Sequence, residues 1–188
     1  MDFSVLSGPA QEVAPRLLGS HLVREIDGRR LVGRIVETEA YNEHDAASHS
    51  YRGRTPRTDI MFGPAGFLYV YFTYGMHYCC NVVTGAAGEG SAVLIRALEP
   101  LEGEDSMSQN RHGLSGAQLT NGPAKLCQAL QIDKTQNKHD LRKPPLQLIL
   151  QPPVAQADIV QTTRIGISQA KDVPWRFYLK NNPYVSKM

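Results

Sequence analysis

The sequence predicts an α+β fold: a single domain spanning residues 1–188, with a mainly antiparallel, curved β-sheet, flanking helices and a protruding β-hairpin. Two strand pairs lead to this prediction. Residues 68–83, LYVYFTYGMHYCCNVV, are rich in strand-forming residues and contain Gly75 near their middle. Residues 21–26 and 30–41 read as strands joined by Asp27-Gly28, a strong signal for a tight hairpin turn.

Helices are predicted on either side of these strands. Residues 7–18 form the first helix, capped by Ser7, and residues 122–130 form another, capped by Asn121. Part of 102–119 forms a helix fragment within a polar loop, and residues 42–61 form a long loop. Further short strands are predicted at 92–98, 146–150, 159–167 and 176–179.

The hairpin at 68–83 allows two registers. A three-residue loop, 74–76, places Tyr71 opposite Cys79 and gives one semi-polar face that includes Asn81. A two-residue Gly-Met loop has better turn chemistry, but it pairs the polar set with the apolar face of the first strand. We favour the three-residue loop. The tyrosines alone are equally typical of a core hairpin with its hydroxyl groups at the surface.

Composition restricts the class of protein. The chain has 188 residues, 41% of them apolar, and a formal net charge of +2. Three cysteines indicate reduced thiols, and we expect no secretory signal, no membrane span and a cytoplasmic location. Arginines at 52, 54 and 57 and the basic stretch 164–188 are compatible with a polyanionic partner, although solvated surface charges are the commoner explanation of such clusters.

Glu37 and Glu39 share one face of the strand 30–41. They either solubilise an edge strand or provide a general base that activates water. Arg96 lies inside the apolar strand AVLIRAL and needs an anionic partner. Arg96 either forms a structural ion pair with a glutamate or positions a catalytic carboxylate or a water molecule.

No metal or cofactor is expected. His44, Asp45 and His49 could suggest a metal site with Cys79 and Cys80. Adjacent cysteines on a strand point to opposite faces, however, and no metal-binding spacing is present. The sequence also lacks a Gly-rich phosphate loop and a Gly-x-Ser-x-Gly elbow.

Together these residues resemble the alkyladenine (3-methylpurine) DNA glycosylase family, in the form found in bacteria. The resemblance covers nearly the whole chain, and several of its motifs are long. The matching segments are RIVETEAY (34–41), AASHS (46–50), TPR (55–57), MFGPAGFLYVYFTYGMHYCCN (61–81), VLIRALEPLEG (93–103), NGPAKLCQALQI (121–132), RIG (164–166) and RFYLKNNPYVS (176–186).

The resemblance implies a monofunctional DNA glycosylase that flips alkylated or deaminated purines out of duplex DNA and hydrolyses the N-glycosidic bond, which starts base excision repair. Its implied substrates are 3-methyladenine, 7-methylguanine, hypoxanthine and ethenoadenine. Glu39 matches the glutamate that activates water, and Arg96 and the main-chain carbonyl of Ile165 match the groups that hold it. The expected partner is double-stranded DNA, and we expect a monomer associated with the bacterial nucleoid.

The resemblance also assigns binding residues. Tyr41, His49 and Tyr71 match the residues that sandwich the extruded base, and Asn81 matches the asparagine that opposes the 2-amino group of guanine. Tyr74, at the hairpin tip, matches the tyrosine that fills the gap left in the duplex, and Met76 at the same tip is a candidate DNA contact. Lys125 is a candidate phosphate contact.

Overall fold

A computed structural model gives the fold, and it describes residues 2–73 and 75–186. The strands are β1 (His21–Ile26), β2 (Arg29–Tyr41), β3 (Leu68–Thr73), β4 (His77–Val83), β5 (Ala92–Glu102), β6 (Leu146–Ile149), β7 (Ile159–Thr162) and β8 (Arg176–Leu179). The α-helices are α1 (Ala10–Arg16), α2 (Glu104–Asn110) and α3 (Pro123–Ala129), accompanied by short 3₁₀ turns.

All eight strands belong to one antiparallel sheet, and β2 is its central strand. The main order is β3-β4-β5-β2-β1-β6, with β7 paired to β8 and β8 paired to β2. One edge of β2 pairs with β5, while its other edge pairs with β1 up to Arg34 and with β8 from Glu37 to Glu39. Because one strand changes partner along its length, the sheet curls around it. The predicted α+β fold with a curved antiparallel sheet is confirmed.

One face of the sheet packs against the helices. Leu68 of β3, Cys80 of β4, Val93 of β5 and Ala40 of β2 point into a single buried cluster with apolar residues of α1 and α3. The opposite faces of the same four strands lie away from this cluster, since side chains alternate along a strand. These faces are therefore available for a binding site.

Two compensating irregularities interrupt the pairing of β2 with β5. Ile35 pairs with Leu98 and Glu37 with Ala97, so Val36 falls outside the register. The next pair joins Thr38 to Ile95, which leaves Arg96 outside the register on the opposite strand. Bulges of this kind redirect side chains and are common beside active sites.

The hairpin has the favoured register. Tyr71 pairs with Cys79 and Thr73 with His77, so three residues connect the strands. Gly75 has a φ of +70°, a conformation that a glycine adopts without strain. Phe72 and Met76 are 53% and 71% exposed, which is consistent with a hairpin that protrudes.

Both predicted helix caps were wrong. Pro9 precedes α1, and Ser7 lies in a 3₁₀ turn instead. The residue before α3 is Gly122, and the side chain of Asn121 accepts a hydrogen bond from Lys125 Nζ at 2.7 Å. Proline at the first position of each helix, or just before it, fixes the backbone there, so no side-chain cap is needed.

Strand lengths also differ from the prediction. β5 continues to Glu102 and passes through Pro100, whereas β7 ends at Thr162. The stretch after β7 turns away from the sheet and contributes to the site described below. The apolar pattern at 159–167 therefore reflects a strand followed by a partly buried loop.

Replacing Gly33 with Ala should lower the free energy of unfolding by about 1–3 kcal/mol, the usual cost of overpacking a core. A Cβ at this central position would lie 2.9 Å from Cβ of the buried Leu98. Urea denaturation measures the change. Gly8→Ala is the control, because its Cβ would make only ordinary van der Waals contacts, with Val13 Cγ2 at 3.6 Å and the Val5 carbonyl oxygen at 3.9 Å. Equal unfolding midpoints for the two variants would contradict this packing argument.

Candidate active site

A row of paired residues crosses the sheet and forms the floor of the site. Tyr69 pairs with Asn81, Asn81 with Leu94, and Leu94 with Glu39, so four neighbouring strands each contribute one member. Neighbouring strands lie about 4.8 Å apart, which places the row across roughly 14 Å of sheet. Each of these side chains faces away from the helices.

The row lines a cavity of about 420 Å³. This volume lies within the range of pockets that hold small organic ligands. Each strand contributes at least one further residue that faces the same space, and two loops, 46–49 and 165–168, cover it. The strand residues of the cavity are Glu39, Tyr41, Tyr69, Tyr71, Thr73, Cys79, Asn81, Leu94 and Arg96.

Glu39 is fully buried and receives donors on both carboxylate oxygens. Its Oε2 accepts from the Tyr41 hydroxyl at 2.8 Å, and its Oε1 accepts from the backbone N–H of Ile165 at 2.8 Å. Arg96 Nη1 lies 3.2 Å from the same Oε1. These contacts fix the position of a buried carboxylate that lines the cavity.

Glu37 is also fully buried, so the interpretation of both carboxylates as edge-strand solubilising groups was wrong. Their strand is the centre of the sheet. Glu37 Oε1 accepts from Arg96 Nε at 3.0 Å and from Arg176 Nε at 2.6 Å. The geometry therefore agrees with both alternatives for Arg96. Arg96 pairs with Glu37, which does not line the cavity, and with Glu39, which does.

Aromatic side chains form the walls. The rings of His49 and Tyr71 meet edge to face with centroids 4.6 Å apart, and His49 Nδ1 lies 2.9 Å from the Tyr69 hydroxyl. Burial and the negative charge of Glu39 raise the pKa of Tyr41 well above its ordinary value, so its hydroxyl stays protonated and donates to Glu39. Burial also raises the pKa of Tyr71.

His49 is neutral at physiological pH. Burial and, second, the positive charge of Arg57 lower its pKa to about 4. The Arg57 guanidinium lies 5.7 Å from the centroid of the Tyr71 ring, at the border of the cavity. A neutral imidazole does not repel a positively charged ligand.

The remaining predicted site residues fall into three groups. Asn81 lines the cavity, where its Nδ2 donates to the Tyr69 carbonyl at 3.2 Å. Met76 lies at the exposed hairpin tip, outside the cavity, and Lys125 lies on α3 beside the cavity-lining Pro123. Tyr74 lies outside the described residues.

Sequence reasoning missed the ion pair that fixes the loop over the cavity. Arg164 donates to both carboxylate oxygens of Asp45 and to the Ala40 carbonyl, and both charged side chains are buried. The Arg164 guanidinium also lies 4.7 Å from the centroid of the Tyr41 ring. A signal was present: Arg164 begins the matched motif RIG and Asp45 directly precedes the matched motif AASHS, but nothing in the sequence indicates that they meet.

The cysteines follow the predicted geometry. Cys79 lines the cavity, whereas Cys80 points into the helix-covered core. All three cysteines are free and buried. Within residues 2–73 and 75–186, no group of three or more His, Cys, Asp or Glu side chains is arranged to hold a metal ion.

Comparison with known proteins decides the family. The sequence model of the methylpurine-DNA glycosylase family matches residues 4–183. The chain belongs to this family. It is 59% identical over 176 residues to a protein from Carboxydothermus hydrogenoformans, a match that covers 93% of this chain and 92% of that protein.

Other bacterial relatives agree. A Francisella tularensis protein is 50% identical over 179 residues, covering 94% of this chain and 93% of that protein. A Desulfitobacterium hafniense protein is 51% identical over 187 residues, covering 93% and 92%. All three carry the name "Putative 3-methyladenine DNA glycosylase".

Family membership makes the chain a DNA glycosylase, a hydrolase of N-glycosyl bonds. The expected DNA substrate with damaged purine bases agrees with this. Among the described residues, no helix is both long and apolar enough to cross a membrane.

The pKa of His49 can be measured by NMR titration of its ring resonances, and we expect a value of about 4. Replacing Arg57 with Gln should raise this pKa, since it removes a nearby positive charge. Arg52→Gln, which changes an exposed arginine in the same loop, should leave it unaffected. In the unfolded chain the pKa returns to about 6.5, so the contribution of neutral His49 to stability is complete above that pH and is lost as the pH falls through about 4. A folded-state pKa near 6.5 would contradict the burial argument.

Proposed function

We propose that this enzyme rotates alkylated or deaminated purines out of duplex DNA and hydrolyses the N-glycosidic bond with a water molecule activated by Glu39. The observation that carries this proposal is a fully buried carboxylate on the floor of a cavity with aromatic walls. The names of the relatives support 3-methyladenine as one substrate. Removal of the damaged base would start base excision repair.

The chemistry needs only one carboxylate. The water oxygen forms a bond to C1′ of the sugar while Glu39 accepts the water proton, and the bond from C1′ to the base nitrogen breaks with its electron pair going to the base. Tyr41, Arg96 and the Ile165 N–H hold the carboxylate in one position throughout. The main-chain carbonyl of Ile165 is proposed as a further ligand of the water.

The walls suit a purine. Tyr41 and Tyr71 offer aromatic surfaces on which a base can stack, a contact that contributes roughly 1–3 kcal/mol per base. Purines alkylated at N3 or N7 carry a positive charge and are attracted by aromatic rings. Neutral His49 can form a hydrogen bond with such a base without repelling it.

Hydrolysis by water, without a covalent enzyme–sugar intermediate, agrees with the lining of the cavity. A lysine amine is the usual nucleophile for a Schiff base. None of the described residues that line the cavity is a lysine. A monofunctional glycosylase is therefore the reaction type that the site favours.

The surface around the cavity suits a duplex. Extrusion of a base costs a few kcal/mol, and an apolar group that enters the stack offsets this cost. Met76, exposed at the hairpin tip, is such a group, and Tyr74 is proposed to act with it. Exposed Arg52 and Arg57, together with Lys125, are proposed to contact phosphates of the DNA, to which the enzyme would bind as a monomer.

Glu39→Gln should reduce the single-turnover rate of base release by about 10²–10⁴-fold, the usual contribution of a general base. Binding to duplex with one 3-methyladenine or hypoxanthine should remain within about threefold, because the amide preserves the shape of the site. Gel analysis of abasic sites measures release, and fluorescence anisotropy measures binding.

The matched control is Glu102→Gln, which removes a half-exposed carboxylate at the far end of β5 and should leave the rate unchanged. Base release by Glu39→Gln at the rate of the unaltered enzyme would rule out Glu39 as the base.

Asn81→Ala should raise kcat/KM for 7-methylguanine relative to 3-methyladenine by about tenfold. Its amide faces the cavity, held by the Tyr69 carbonyl, and is proposed to oppose the exocyclic 2-amino group that guanine has and adenine lacks. Pocket contacts of this size discriminate by about 10–200-fold. Asn110→Ala, outside the cavity, is the control. An unchanged ratio would show that Asn81 is not the filter.

A further inference from the structure

A second buried charge cluster lies directly behind the catalytic carboxylate. Glu37 accepts four hydrogen bonds: from Arg96 Nε at 3.0 Å, Arg176 Nε at 2.6 Å, Ser186 Oγ at 2.8 Å and the Ser186 N–H at 2.7 Å. All four residues are buried. Glu37 does not line the cavity, and nothing in the proposed hydrolysis uses it directly.

Arg96 connects this cluster to the reacting group. Its Nε faces Glu37, its Nη2 donates to Ser186 Oγ at 3.3 Å, and its Nη1 lies 3.2 Å from Glu39 Oε1. A guanidinium is a rigid planar fork, so fixing two of its nitrogens fixes the direction of the third. The position of Nη1 against Glu39 is therefore set by Glu37 and Ser186.

Ser186 reaches the cluster through an ordered segment at the end of the described chain. Asn182 Nδ2 donates to Glu99 at 2.9 Å, and the Asn182 side chain accepts from the Tyr184 N–H at 2.9 Å. The Ser186 carbonyl accepts from Arg176 Nη2 at 3.3 Å. This segment is thus held to Glu99 of β5 through Asn182, and it places one hydroxyl between Glu37 and Arg96.

We propose that Glu37 and Ser186 are positioning residues for base release, and that they act through Arg96 on Glu39. The inference rests on the proposed function of Glu39. It adds that residues 182–186, which do not line the cavity, complete the active site. These residues would set the orientation of the Glu39 carboxylate toward the attacking water and toward the positive charge that develops at C1′.

Charge balance supports a role beyond packing. Glu37 and Glu39 face Arg96 and Arg176, so the buried group contains equal numbers of positive and negative charges. Without Glu37, both guanidinium groups would compete for Glu39 and draw it away from the cavity. Removing one member of such a buried set is strongly destabilising, so a test on Glu37 alone would confuse folding with catalysis.

The test therefore uses Ser186, whose hydroxyl can be removed while its backbone contacts to Glu37 and Arg176 stay. Ser186→Ala removes the hydroxyl that donates to Glu37 and accepts from Arg96, and it should lower the single-turnover rate of hypoxanthine release from duplex about tenfold, with an unchanged Kd for DNA. Ser186→Thr keeps the hydroxyl and should recover the rate to within about twofold. Ser20→Ala removes another fully buried serine hydroxyl, outside this cluster, and should not change the rate.

A double-mutant cycle separates positioning from general stability. In an Arg96→Lys background, which keeps the buried positive charge but lacks the planar fork, Ser186→Ala should have almost no further effect on the rate. An unchanged rate in Ser186→Ala, or an equal fold-loss in both backgrounds, would overturn the proposal. Failure of the proposed function has a different signature: Glu39→Gln would then release hypoxanthine at the full rate.

Discussion

The structure depends on one buried interaction, the pairing of two carboxylates on the central strand with two guanidinium groups. Charges without water are tolerated only when each has a partner and its hydrogen bonds are satisfied. The four side chains meet this requirement because three strands bring them together. β2 carries Glu37 and Glu39, β5 carries Arg96, and β8 carries Arg176. The sheet must therefore close around β2 with both neighbours in register before the charges are satisfied. The fold and the site therefore form together. The strand order that buries the apolar face of the sheet also pairs the charged side chains on its opposite face.

Irregular strand pairing is what allows this cluster. In a regular ladder, Arg96 would pair directly with a residue of β2, and the side chains of both strands would alternate between the two faces of the sheet without interruption. Because Val36 and Arg96 both leave the register, the guanidinium lies between Glu37 and Glu39 and contacts both. The cost is a locally weakened ladder, and the charge-assisted hydrogen bonds of the cluster offset it. Beyond Thr38 the register is regular again, which produces the row from Glu39 to Tyr69 that forms the cavity floor.

Much of the fold and part of the candidate site could be predicted from the sequence, and the predictions that were wrong or missing have physical causes. Alternation and the Asp27-Gly28 turn gave β1 and β2, and the choice between two loops in the hairpin followed from keeping Tyr71 and Asn81 on one face. The long-range partners were beyond reach. Nothing local shows that Ser186 lies on Glu37 or that Arg164 pairs with Asp45, since these contacts join residues more than a hundred positions apart. The edge-strand interpretation of Glu37 and Glu39 was wrong because polarity on a strand face cannot distinguish solvent from a buried counter-charge.

Charge balance also bears on the substrates. The buried groups around the cavity carry equal positive and negative charge, and His49 is neutral. When Glu39 takes up the proton of the attacking water, as proposed, this buried group becomes positive by one charge. If the departing purine starts as a cation, it leaves neutral, and the total charge of the cavity does not change. If the purine starts neutral and leaves unprotonated, the step separates opposite charges in a site with little water, where such separation is expensive. Slow release of neutral lesions then follows from the same cluster that holds the sheet together, unless a proton reaches the base as it departs.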